Sequence, residues 1–192
     1  KIEPFDNIRL MNWGFTNNND NVLWTNRRFP NYYTQATYGA IAPRLGCAYE
    51  YMIKLGNITQ KDIWINVPHM ADSAYIANMA VLFRDSLNPN SKIYLEYSNE
   101  VWNTSFGQYN WVDDSTNSNN LTNHSEQTAY HFKRVFDIWT NIFGSQTSTR
   151  IVKVAGCFLG QPIIANTIMN YLQSNNSMPD VLSPGAYFGL QA

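Results

Sequence analysis

Apolar positions along this chain switch repeatedly between two periods. "DIWINVPH" (62–69) alternates and stops at Pro68, which predicts a strand. "ADSAYIANMAVLFRDSL" (71–87) then places Tyr75, Met79, Leu82 and Phe83 at helical spacing, with Asp72 as N-cap. The same pair of patterns recurs downstream. "KIYLEYSNE" (92–100) reads as a strand, and "EQTAYHFKRVFDIWTNIFG" (126–144) as a helix closed by Gly144. "RIVKVAGCF" (150–158) reads as a strand, and "QPIIANTIMNYLQS" (161–174) as a helix with Pro162 near its start. "DVLSPGAYFG" (180–189) is a last strand. Upstream, "NIRLMNW" (7–13) predicts a short strand, and "PRLGCAYEYMIKL" (43–55) a helix with Pro43 near its start. The polar text between them is a long excursion, and 115–125 is a polar loop.

Strict alternation of strand and helix implies parallel strands joined by right-handed helical crossovers. Five such strands fit an open doubly wound sheet or part of a (β/α)8 barrel. Neither G-x-G-x-x-G nor G-x-x-x-x-G-K-[ST] occurs, so nucleotide binding has no motif behind it. With 192 residues and 44% apolar content, the chain can bury one sizeable core.

Charge removes further classes. Thirteen basic and 14 acidic side chains give a net charge of −1, which supplies no basic face for nucleic acid or anionic membranes. No run approaches the ~20 apolar residues of a spanning helix, so membrane insertion is not expected. "KIEPFDNIRL" has no apolar core of the signal-peptide kind. Aromatic residues make up 15% of the chain, which suits either a core or a sugar-binding cleft, where flat rings meet pyranose faces. Sequons begin at Asn57, Asn103, Asn120, Asn123 and Asn175, making these glycosylation candidates in an extracellular setting. Cys47 and Cys157 fit a disulfide or two free thiols equally well.

Parallel α/β units present their chemistry at the carboxyl ends of the strands. Those ends carry Arg9, Asn12 and Trp13, then Asn66 and His69, then Asn99, Glu100 and Trp102, then Gln161, then Tyr187. Arg9 within a strand calls for a carboxylate partner. Glu100 closes an apolar strand, where partial desolvation would suit a general acid working near neutrality. Asn99 could hold a substrate hydroxyl, and Trp102 could wall a sugar ring. His69, His124 and His131 form no H-E-x-x-H pattern, and no G-x-S-x-G elbow occurs, so neither a metal nor a serine triad is expected.

"YLEYSNEVWN" resembles the strand-4 motif of the large retaining clan of (β/α)8 glycoside hydrolases, which includes cellulases, β-mannanases and β-galactosidases. The longer string from Trp64 to Asn103, with "IRLMNWGFTNNN" and "SPGAYFG", resembles a group of secreted, cellulase-like proteins of that clan. The resemblance implies a TIM-barrel fold for residues 1–192, present as the central part of the barrel. It would hold strands 2–6 and lack strands 1, 7 and 8. It implies that Glu100 is the acid/base and that Asn99 holds the sugar 2-hydroxyl. Arg9 and Tyr187 would bind the nucleophilic carboxylate, while His69, Trp102 and Trp13 would line the site. It implies no cofactor.

The clan's nucleophile is a Glu after strand 7, and no Glu follows Glu126 here, so the nucleophile is expected outside this chain. Glu96 cannot replace it. Four strand residues span roughly 13 Å, against ~5–5.5 Å for a retaining pair. Glu96 reads instead as an interior ion partner, with Arg9 as the candidate cation.

Two alternatives stand beside a secreted hydrolase of β-linked polysaccharide. One is a catalytically inactive, extracellular carbohydrate-binding or structural glycoprotein built on the same barrel. In either case carbohydrate and other parts of a longer extracellular protein are the expected partners. A glycan on Asn103 would crowd Glu100 and favours this second reading. The other alternative is an unrelated α/β domain in which Glu100 is an ion-pair residue.

Overall fold

The computed structural model describes residues 3–35 and 43–185. Tyr187 lies outside them. The strands are β1 (Asn7–Arg9), β2 (Asp62–Val67), β3 (Ile93–Tyr97), β4 (Ile151–Phe158) and β5 (Val181–Gly185). They form one sheet in the order β1-β2-β3-β4-β5, every neighbouring pair parallel. The sheet curls into a half-barrel. A doubly wound sheet reverses its strand order at a switch point, and the described strands contain no such reversal.

Period-two alternation divides the strands between two environments. Ile63, Ile65, Val67, Ile93, Leu95 and Tyr97 are buried in one cluster with the helices. Trp64, Asn66, Tyr94 and Glu96 therefore project from the other face. Register aligns Arg9 with Trp64 and Asn66 with Glu96 across neighbouring strands.

The helices are α1 (Tyr49–Thr59), α2 (Ser73–Ser86), α3 (Gly107–Asp113), α4 (His124–Phe143), α5 (Thr147–Arg150) and α6 (Pro162–Ser174). Asp72 caps α2 by accepting from the Tyr75 amide at 2.6 Å. Tyr75, Ile76, Met79 and Phe83 form its buried stripe. Asn123 caps α4 by accepting from the Ser125 and Glu126 amides, so this sequon asparagine already holds a helix end.

Four places depart from the sequence reading. Strand β3 ends at Tyr97 rather than Glu100, because the chain turns into left-handed backbone at Ser98. Strand β1 stops at Arg9 because the chain turns at once: the Gly14 amide donates to the Leu10 carbonyl, and Phe15 takes φ 45°. Helix α1 starts at Tyr49 rather than near Pro43, and Gly46, at φ +71°, packs against the Gly14 backbone where any Cβ would clash. Helix α3 lies between Trp102 and the polar run 115–125, where the sequence reading assigns no element. Cys47 and Cys157 are both free thiols, and burial pushes each above its ordinary pKa, Cys47 to about 11.

Candidate functional site

A buried carboxylate organises the exposed end of this sheet. Glu96 Oε2 accepts from Arg9 Nη2 at 2.9 Å, Trp64 Nε1 at 2.9 Å and Asn66 Nδ2 at 2.7 Å. The Arg9 guanidinium also lies over the Trp64 ring, 4.8 Å from its centroid. Burial raises the Glu96 pKa, and Arg9 with the other donors pulls it back down. The ion pair anticipated between Arg9 and Glu96 is present in the structure.

The two ends of that pair differ in exposure. The Arg9 side chain is 38% exposed and that of Glu96 only 4%. Glu96→Leu strands a cation and two N–H donors and is expected to cost about 3–5 kcal/mol in urea unfolding. Arg9→Met should cost less, because Glu96 can then take up a proton. The reverse order would refute this account of the pair. Gly156 leaves room for the same carboxylate: a Cβ there would sit 2.8 Å from Glu96 Oε1. With three donors fixing the carboxylate, Gly156→Ala is expected to lower stability by about 1–3 kcal/mol, read from the urea midpoint.

Arg9 joins this centre to the end of β3. Its Nη2 also donates to Asn99 Oδ1 at 3.0 Å. Asn99 Nδ2 donates to Asn17 Oδ1 at 3.0 Å, and the same oxygen accepts from Gln108 Nε2 at 2.8 Å. Gln108 is fully buried, and its Nε2 also donates to the Asn99 carbonyl at 2.7 Å. This amide chain ties the loop after β1 to α3 and fixes which way Asn99 faces. Sequence reading missed Asn17, Trp64 and Gln108. Loop amides have no periodicity to betray them, and a tryptophan in a strand reads as core.

Glu100 sits one residue beyond, half-buried. Its Oε2 accepts from Asn103 Nδ2 at 3.0 Å. Ser98 and Glu100 both take left-handed backbone, φ 53° and 43°, although neither is glycine. Asn103 Oδ1 accepts from the Ser105 amide, so both ends of this sequon side chain are engaged. Asn57 and Asn175 are likewise engaged with backbone, whereas Asn120 is exposed in a turn at φ 62°.

The remaining candidates separate. Trp102 is half-buried and stacks on Phe158, with centroids 5.9 Å apart. Trp13 is 48% exposed and lies beside α1, lining a groove with Cys47, Tyr51 and Leu55. His69 turns inward: it is buried, meets the Trp111 ring edge-on at 5.9 Å, and leaves Nδ1 without a hydrogen bond. The Trp111 ring also meets His131, which stacks on Tyr97. Burial holds both imidazoles neutral, each with a pKa of about 4.

Among the described residues, no three His, Cys, Asp or Glu side chains gather to hold a metal ion, and no helix is long and apolar enough to cross a membrane. Compared with protein-family models, curated proteins and solved structures, the chain matches none.

Proposed function

We propose that this chain carries the acid/base half of a retaining glycoside hydrolase site built on a (β/α)8 barrel. Glu100 is the proton donor to the leaving oxygen, and the substrate is a β-linked polysaccharide. The observation that carries this reading is the backbone of residues 98–100. Two non-glycine residues in left-handed conformation cost free energy, and such strain persists where the fold needs a side chain at one particular place. The strained turn sets Glu100 at the carboxyl end of a parallel strand, beside an Asn99 oriented by Arg9 and Asn17. The sequential order of the strands supports the barrel. The reading needs a nucleophilic Glu after strand 7, which no Glu beyond Glu126 supplies.

A second reading has a specific observation behind it. Arg9, which would orient a nucleophile, is already satisfied by Glu96 and Asn99, and Asn103 holds Glu100. A non-catalytic carbohydrate-binding protein fits that closed network. One experiment separates the two. The full-length protein is incubated with β-glucans while new reducing ends and the anomer first released are followed by NMR. Release of the β-anomer supports the hydrolase. Binding without turnover selects the second reading, and absence of both overturns each.

A further inference from the structure

The amide chain beside Glu100 has a fixed hydrogen-bond direction. An amide side chain has a donating end and an accepting end, and its neighbours decide which faces where. Gln108 is fully buried between two backbone groups that allow one choice. The Asn18 N–H can only donate, and it meets Gln108 Oε1 at 3.0 Å. The Asn99 carbonyl can only accept, and Gln108 Nε2 reaches it at 2.7 Å. Gln108 Nε2 also donates to Asn17 at 2.8 Å, so Asn17 must turn Oδ1 inward. That oxygen accepts from Asn99 Nδ2 as well, at 3.0 Å. At the far end stands Arg9, whose guanidinium has no accepting atom, and it donates to Asn99 Oδ1 at 3.0 Å. Every link agrees, and none can reverse alone.

Two nitrogens in this chain keep unused N–H groups. Asn17 is half-buried, and its Nδ2 makes no hydrogen bond among the described residues yet stays open to solvent. It sits one bonded carbon from the oxygen that Asn99 reaches. Asn99 Nδ2 gives one N–H to Asn17 and keeps its second unpaired among the described residues. We infer that Asn17 is a further substrate-contacting amide, presenting its N–H groups beside that of Asn99 to an oxygen of the bound sugar. This rests on the proposed reading of Glu100. The two nitrogens offer donors and no acceptor, which defines the class of ligand they take. A hydroxyl or carboxylate oxygen supplies the missing lone pair. An amino sugar does not, because its ammonium only donates and also meets the Arg9 guanidinium, 38% exposed beside Asn99.

The test is calorimetric titration of the full-length protein with cello- and laminari-oligosaccharides, in a Glu100→Gln background to suppress turnover. Asn17→Asp keeps the oxygen that Asn99 and Gln108 reach and replaces only the open nitrogen. It should leave the urea midpoint unchanged and weaken oligosaccharide binding by about tenfold. Asn17→Ala removes both ends of the amide, so it should lower the midpoint as well as the affinity. Fully deacetylated chito-oligosaccharides, with their amines protonated, should bind the parent at least about tenfold more weakly than the neutral sugars, and Asn17→Asp should narrow that gap. Parent-like binding of neutral sugars by Asn17→Asp makes Asn17 a purely structural amide; it overturns the inference and leaves the reading of Glu100 standing. Equal binding of amino and neutral sugars by the parent overturns the donor-only contact. No binding of any oligosaccharide to the parent overturns the reading of Glu100, and the role of Asn17 with it.

Discussion

Glu100→Gln is expected to slow hydrolysis of an unactivated β-glycan by about 10²- to 10⁴-fold, the usual contribution of a positioned general acid. Glutamine keeps the size of the side chain and an oxygen for Asn103 Nδ2 to reach, so the strained turn has no reason to relax. Only the transferable proton is lost. The loss should therefore depend on the leaving group. With a dinitrophenyl glycoside, whose phenolate departs unprotonated, cleavage of the glycosidic bond should proceed near the parent rate. Breakdown of the glycosyl–enzyme intermediate should then slow, because in the proposed reading the same carboxylate activates water in that step. A burst of phenolate followed by a slow steady state is the expected time course. Parent-like rates on both substrates would remove Glu100 from the chemistry. Equal losses on both would mark it as a structural residue.

How much of this was legible in sequence depends on the range of the signal. Strands β2, β3 and β4 and helix α2 were readable because their apolar periods run unbroken and Asp72 caps where expected. Helix α3 was not. Seven residues with only Gln108 and Val112 buried give no stripe to detect. Pro43 misled the start of α1, whose true N-cap, Ala48, has no capping side chain. At the site, the Arg9–Glu96 pair was foreseeable because two charges in apolar strands must meet something. The link from Asn99 through Asn17 to Gln108 was not, since Asn17 lies 82 residues from Asn99 and 91 from Gln108 and no local pattern joins them. His69 reads as a rim residue from its place after Pro68. Its inward turn is decided by Trp111 and His131, which lie on helices that only the fold brings near.

That inward turn gives the fold a strong dependence on acidity. His69 faces Asp20 and Arg44, and His131 faces Arg134 and His69, so no charge in the cluster stabilises two imidazolium ions at once. Both pKa values lie near 4 in the folded chain, against about 6.5 when unfolded. A group with a depressed folded pKa leaves the unfolded chain holding more protons between those two values. Stability then rises with pH across the window and is lost as pH falls from about 6.5 towards 4. Each histidine accounts for about 3 kcal/mol over the full window, at 1.36 kcal/mol per pKa unit. Glu96 works in the opposite sense, because its raised pKa favours the folded state as protons are added, and it offsets part of the loss. Asp20, held low by Arg44, adds its own loss only below the ordinary aspartate range. Urea midpoints measured from pH 7.5 down to pH 4.5 should therefore fall steeply below pH 6.5. His131→Gln should lower the midpoint at pH 7.5, through loss of its stacking on Tyr97, and flatten the slope below pH 6.5. An unchanged slope in that variant would mean that the imidazole is protonated or solvated in the folded chain, and the buried histidine pair would no longer explain acid sensitivity.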